Sequence, residues 1–242
     1  MQRILGYMRK AIQEFDLIEN GDKIAVGVSG GKDSLVMLKG LVLLKRFIGI
    51  DYDICAITLD PFFGGEKGNY EPIAEMCREM GIEYHLIETK IGEIVFDVRK
   101  EEHPCSLCAR MRRGALHDAA KAAGCNKIAL GHNYNDVVET FVMNLTIEGR
   151  IGCFAPKSYL SRKDITMIRP LVFAPENAIR SAALRNQLPI VKSKCPADGE
   201  TSRQRVKNEL AARDKIDKGF SDRLFGALRR SGIDGWGYKE KK

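Results

Sequence analysis

The segment Ile24-Ala25-Val26-Gly27-Val28-Ser29-Gly30-Gly31-Lys32-Asp33-Ser34-Leu35-Val36-Met37-Leu38 decides the fold. Residues 24–28 form a short apolar run with β-branched members, which suits a buried strand. Two glycines flanked by serines follow, and then a helix-forming run to about Phe47. Glycine lets a backbone turn tightly and approach an anion with no Cβ in the way. A helix that starts at once offers free N–H groups and the positive end of its dipole. Asp33 or Ser34 can cap it. Ser29 and Ser34 add hydroxyls and Lys32 a point charge, so the unit reads as a phosphate-binding loop. It is not G-x-x-x-x-G-K-[ST], because Asp33 follows the lysine, and it is not G-x-G-x-x-G.

Outward from this loop the chain alternates. Helical spacing predicts a helix over 2–18, from Ile4, Leu5, Met8, Ile12 and Phe15. Further strands are expected at 52–59, 83–87, 127–130 and 166–169. Helices are expected at 71–80, 108–123, 136–147 and 175–186, with two more over 201–230 and an irregular stretch at 91–107. Such alternation implies βαβ units: a doubly wound, mostly parallel five-stranded sheet with helices on both faces, plus an N-terminal helix and C-terminal helices. Ligands of these sheets sit beyond the carboxyl ends of the strands. Asp60 follows the second strand and Gly131-His132 the fourth, so both join the loop as candidates, and Leu59 with Asp60 lies where an adenine or ribose would sit. Asp136 and Glu139 are three apart on one helical face, a spacing that can hold Mg²⁺ beside phosphates. His132 is neutral near pH 7 on reference values and can be a base or a structural group.

At 242 residues, 44% hydrophobic and 29% charged, the chain can bury a full core, which excludes wholesale disorder. The longest apolar stretch, 35–50, is broken by Lys39, Lys45 and Arg46, so it is not a membrane span. The N-terminus does not read as a secretory signal, and a cytoplasmic, membrane-free protein is expected. The net charge is +7, and 14 basic against 8 acidic residues over 191–242 put +6 of it in the last fifth. Nucleic acid is the usual partner of such a face, and a solvated helical surface is the bland alternative.

Seven cysteines without a secretion signal argue against a disulfide framework. Cys105 and Cys108 form a C-x-x-C at a helix start, where the dipole and Arg110, Arg112 and Arg113 would lower the thiol pKa values. Such a pair can hold a metal or act as a redox pair. Cys195 sits in a polar, basic loop rather than on an apolar face. Three thiolates suit an iron–sulfur cluster with one open iron, or a zinc site with one more ligand, for which His103 is available. Cys55, Cys77 and Cys125 read as buried structural thiols, and Cys153 leans the same way.

SGGKDS with its flanks resembles the signature of the PP-loop ATP pyrophosphatases (adenine nucleotide α-hydrolase type). These transfer AMP to a substrate oxygen and release pyrophosphate. PCSLCARMRRGAL at 104–116, GHNYNDVVETFVMNL at 131–145, IRPLVFAPENAI at 168–179 and a single cysteine ahead of SRQRVKNEL at 202–210 are similar, in order, to the tRNA 2-thiocytidine synthetases. The resemblance runs from about Ile4 to Leu210. Where that family often carries two adjacent aspartates this chain has Asn135 and Asp136, and the residues after Leu210 match nothing in it.

The resemblance implies a [4Fe–4S] cluster on Cys105, Cys108 and Cys195, ATP with Mg²⁺ at Ser29, Gly30, Gly31, Lys32, Asp33, Ser34, Leu59, Asp60, Gly131 and His132, and catalytic roles for Asp136, Arg112 and Lys32. The C2 oxygen of an anticodon-loop cytidine would be adenylated and replaced by sulfur. Arg113, Lys192, Lys194, Arg203, Arg205 and Lys207 are the candidates for tRNA contact. A cysteine desulfurase is the expected sulfur donor, and the resemblance leaves room for a homodimer. The expected division is a helix over 1–20, the PP-loop domain with its C-x-x-C insertion over 21–192, and a basic helical segment over 193–242. The alternatives are another PP-loop tRNA-modifying enzyme, forming 2-thiouridine or a lysidine-type product, or a non-catalytic ATP- or zinc-binding regulator.

Overall fold

The computed structural model describes residues 1–100, 104–192, 194–196 and 202–237. His103 and Thr201 lie outside them. The elements in chain order are α1 (Gln2–Phe15), β1 (Asp22–Gly27), α2 (Lys32–Leu44), β2 (Tyr52–Asp60), α3 (Glu71–Glu79), β3 (Glu83–Glu88), α4 (Pro104–Ala122), β4 (Lys127–Ala129), α5 (Tyr134–Thr146), β5 (Lys157–Leu160), β6 (Ile165–Ile168), α6 (Glu176–Arg185), α7 (Ser202–Ile216) and α8 (Phe220–Ser231). No helix among the described residues is long and apolar enough to cross a membrane.

The sheet runs in the order β3-β2-β1-β4-β6-β5. It is parallel throughout except for β5, which pairs antiparallel with β6. The sheet thus has six strands, not the expected five. The extra strand, KSYL, is a polar edge strand of four residues that carries no buried apolar run to betray it. The C-x-x-C lies at a helix start as expected, but α4 already includes Pro104, so Cys105 joins Cys108 inside the helix rather than in the irregular stretch expected to end at 107. Within the stretch expected to be irregular, residues 93–98 form a helical turn.

Side-chain alternation sorts each strand onto two cores. Ile24 and Val26 of β1 join a large cluster with α1, α2, α6 and α8. Ala25, with Cys55, Ile57 and Leu59 of β2, faces α4 in a second cluster that includes Ala120, Cys125 and Ile128. The sulfurs of Cys55 and Cys125 lie 3.3 Å apart inside it. α2 is buried almost all round, from Ser34 to Leu44, which explains its near-continuous apolar sequence.

The end of the chain returns to its beginning. Trp236 is 1% exposed and donates its Nε1 hydrogen to the Phe154 carbonyl at 2.9 Å. Its ring meets Phe15 of α1 and Phe225 of α8 edge-on, at 5.6 Å each. Strand order reverses between β1 and β4. At that crevice the turn after β1 faces the turn after β4, the usual ligand position in this architecture.

Candidate functional site

The loop after β1 is shaped by its own hydroxyls. Ser34 Oγ donates to the Gly31 carbonyl at 2.9 Å and accepts from the Ser29 amide at 3.2 Å. Gly30 has φ +83°, and a Cβ there would lie 2.9 Å from the Cβ of Val191. The Val191 amide donates to the Gly30 carbonyl at 3.0 Å, so the segment leading to Cys195 is tied to the loop. The N-cap of α2 is Gly31 rather than Asp33 or Ser34, and no side chain caps it. Its first-turn amides are therefore left for an anion. Across the crevice, a Cβ at Gly131 would come 3.1 Å from the Ser34 amide nitrogen, so only glycine lets the two turns meet.

Two cavities flank this loop. The first, about 400 Å³, is bounded by strand ends and α4: Gly27, Ile57, Leu59, Leu116, Ile128 and Leu130 make it largely apolar, with Ser29, Ser34, Gly131 and His132 at the phosphate end. The second, about 440 Å³, lies on the other side of the loop and includes Gly31, Asp60, Phe63, Tyr70, Lys192 and Lys194. Ser29, Leu59 and Arg112 line both. Arg113 borders the first cavity. Asp60 borders only the second, and its two carboxylate oxygens accept from the Phe62 and Gly68 amides at 3.0 and 2.9 Å.

A third, charged cleft of about 170 Å³ holds Lys32, Asp33, Asp136, Glu139, Glu176, Arg203 and Lys207. Lys32 Nζ is 3.0 Å from carboxylate oxygens of both Asp33 and Glu176. Burial works against the Lys32 charge, but these carboxylates outweigh it and raise its pKa. Burial likewise opposes the Glu176 charge, yet Lys207 at 2.7 Å and Lys32 hold its carboxyl down at about 2. Glu139 goes the other way: burial, then the charge of Asp136, push it up to about 7 despite Arg203 at 3.5 Å. Asp136 closes the capping box of α5. Asn133 Oδ1 accepts from the Asp136 amide at 3.2 Å and Asp136 Oδ2 accepts from the Asn133 amide at 2.9 Å. The other Asp136 oxygen is 3.4 Å from Arg203. Burial raises the Asp136 pKa. Arg203 and Lys207 of α7 thus sit over the loop, whereas Arg205 lies exposed on the outer face of the same helix, beside Glu209.

Burial and the cation of Arg169 hold the His132 imidazole down to about 3, which makes it a poor proton acceptor at neutral pH. Its Nδ1 accepts from Arg169 Nε at 3.3 Å. Sequence reading missed Arg169, Glu176, Asn133 and His117. Each follows a strand end, caps a helix or, for His117, lines the first cavity from α4. The positions of Arg169 directly after β6 and of Glu176 in the first turn of α6 were the available signals.

Cys105 is exposed, Cys108 buried against Ile91 and Val95, and Cys195 half-buried. Burial raises the Cys108 thiol pKa, Arg112 lowers it, and Cys195 and Cys105 act on it as neighbouring charges, so the three thiols share one neighbourhood. Among the described residues, no three His, Cys, Asp or Glu side chains converge to single-ion spacing. Among the described residues, the donor set is three thiols with an arginine close by. It fits a cluster that leaves one iron open, a group wider than one ion.

A family model described as a PP-loop domain matches residues 5–213. A tRNA-cytidine(32) 2-sulfurtransferase of Citrifermentans bemidjiense is 40% identical over 206 residues, covering 85% of this chain and 80% of that protein. One from Geobacter sulfurreducens is 36% identical over 230 residues, covering 94% and 89%. Among solved structures, the U34-tRNA thiolase NcsA of Methanococcus maripaludis with its [4Fe-4S] cluster superposes with a TM-score of 0.74 at 27% identity, covering 92% of this chain and 76% of that one. The phosphate loop, the switch-point crevice and these relatives agree: the chain belongs to the PP-loop domain family and, within it, to the tRNA-cytidine(32) 2-sulfurtransferase family.

Proposed function

We propose that this chain is an ATP-dependent tRNA sulfurtransferase that converts an anticodon-loop cytidine to 2-thiocytidine. The observation that carries the reading is the meeting of an uncapped phosphate loop, Arg112 and three thiols at one end of the sheet. The adenosine of ATP fits the apolar first cavity and its pyrophosphate the α2 amides, and Asp33 and Asp136 would hold Mg²⁺. The C2 oxygen of the cytidine attacks the α-phosphorus, the bond to pyrophosphate breaks, and the loop amides with Lys32 offset the growing phosphate charge. Arg112 steadies the adenylated base. Cys105, Cys108 and Cys195 would hold a [4Fe–4S] cluster, which when bound would supply the sulfur that takes the place of the C2 oxygen, and that oxygen would leave with AMP. The basic residues of the 192–194 segment and α7 meet the tRNA backbone, and a cysteine desulfurase replenishes the sulfur.

The test is a reaction with ATP, sulfide and bulk tRNA under anaerobic conditions, followed by nucleoside analysis and AMP and pyrophosphate measurement. 2-Thiocytidine, formed with AMP and lost in Cys105→Ser, Cys108→Ser and Cys195→Ser, is expected. Full activity in those variants overturns the cluster mechanism. 2-Thiouridine in place of 2-thiocytidine favours the second reading, to which the U34 thiolase likeness points.

A further inference from the structure

We infer that the second cavity receives the target base: an unpaired cytidine, its ring against Phe63 and Tyr70 and its exocyclic amine read by Glu66. This deepens the sulfurtransferase reading and rests on it.

The two cavities differ in what they can recognise. The first is an apolar slot at the strand ends, suited to adenosine. The second combines aromatic side chains with three cations, Arg112, Lys192 and Lys194. Splayed single-stranded RNA bases need such a pairing, ring faces for the base and positive charge for its phosphates. The cavities share Ser29, Leu59 and Arg112, so a base in one and ATP in the other face each other across the phosphate loop, as attack of a base oxygen on the α-phosphorus requires. The sulfur side adjoins as well. Arg112 is one turn beyond Cys108, and Lys192 and Lys194 belong to the segment that carries Cys195.

The wall is built to hold its shape. Phe62 takes φ +60°, and Asp60 pins the loop at both ends through the Phe62 and Gly68 amides. Phe63 is braced edge-on against Phe96 at 5.7 Å. Of the described carboxylates bordering the cavity, Asp60 accepts a backbone amide at each oxygen. Among the described residues, Glu66 pairs with Lys194, at 2.7 Å, at the rim. A carboxylate accepts from the 4-amino group of cytosine and repels the 4-oxygen of uracil. When a nucleotide enters, Lys194 exchanges Glu66 for the phosphate.

The experiment uses the full chain, a non-hydrolysable ATP analogue and an anticodon stem–loop RNA with a fluorescent cytidine analogue at the target position. Wild type is expected to alter the probe's emission as the base leaves the RNA stack for Phe63 and Tyr70. Asn69→Trp, which fills the second cavity from an exposed position, should abolish that response and leave the affinity for the ATP analogue within twofold. Leu116→Trp, which fills the first cavity, should give the converse. Phe63→Leu, which keeps the packing on Phe96, should weaken stem–loop binding about tenfold. Glu66→Gln should narrow the preference for cytidine over uridine. A normal probe response in Asn69→Trp, or loss of ATP-analogue binding with it, overturns the assignment. So does a wild-type chain that thiolates the stem–loop without altering the probe, and in that case the sulfurtransferase reading stands. A wild-type chain that neither binds nor thiolates any anticodon stem–loop overturns both.

Discussion

Two charged networks lie at opposite ends of the sheet, built from the same lysine–carboxylate chemistry. Beneath it, Lys127 and Asp22 meet at 2.7 Å with both side chains 4% exposed. Lys127 also donates to the Leu17 carbonyl at 3.1 Å, and Asp22 accepts from Asn126 Nδ2 at 2.7 Å and from the Glu19 amide at 2.6 Å. Above it, Glu176 meets Lys207, also at 2.7 Å, and Lys32, but these cations are 38% and 25% exposed. The Lys127–Asp22 pair is sealed, with exposed Glu19 at its margin 3.7 Å from Lys127, and each group of the pair has a fixed backbone or amide partner besides its counterion. The upper one pairs side chain with side chain around a cleft that solvent reaches. Partners of that kind can be exchanged for a phosphate or a metal ion, whereas the lower ones cannot be exchanged without unfolding.

The contrast can be broken most directly below. Lys127→Ala leaves Asp22 buried without its cation and is expected to cost about 3–5 kcal/mol in urea unfolding, while Lys207→Ala, in the open cleft, should cost under about 1 kcal/mol. A small loss for Lys127→Ala would mean that the lower pair is not sealed. Next, Arg112→Ala should lower kcat for thiolation by about 10²-fold with an unchanged melting temperature, since this guanidinium borders both cavities rather than the packed core. Unchanged kcat would remove Arg112 from the mechanism. Asn133→Ala deletes the side-chain half of the α5 capping box and should cost about 1 kcal/mol, a loss read by chemical denaturation.

The smallest effects sharpen the comparison within the upper cleft, through pH. Glu176 has its folded pKa at about 2, below the ordinary 4.5, so its contribution to stability is complete above 4.5 and is lost as pH falls toward 2. Glu139, at about 7, is above its ordinary value. The unfolded chain releases that proton first, and stability declines as pH rises from about 4.5 to 7. Glu139→Gln should therefore flatten the unfolding midpoint between pH 5 and 7, and Glu176→Gln should flatten it only in the acid range. Parallel wild-type and Glu139→Gln profiles from pH 5 to 7 would refute the assignment for Glu139.

The sheet could be read from local sequence because each buried strand carries its own apolar run between turn residues, and the phosphate loop because glycine spacing is itself the geometry. The β5–β6 hairpin could not, since an edge strand of Lys157, Ser158, Tyr159 and Leu160 buries too little to leave a pattern. The upper cleft was half legible. Asp136 followed a strand end and Lys32 sat in the loop, but Glu176, Arg203 and Lys207 lie 144 to 175 positions from Lys32, and only the tertiary fold unites them. By sequence, Arg203, Arg205 and Lys207 are alike candidates for tRNA contact on a basic helix. The structure turns both onto carboxylates of the cleft and leaves Arg205 outside, a division that charge counting cannot make.

The meeting of Trp236 with Phe15 also has a meaning for biosynthesis. The aromatic face of the first helix is finished by a residue 221 positions later, so it stays open until Trp236 has been translated. At roughly 5–20 residues per second that interval is on the order of 10–40 s. During it, the exposed Phe15 face is a natural foothold for a chaperone, and a transcript cut short of the Trp236 codon would yield a protein marked for disposal by the same uncovered face.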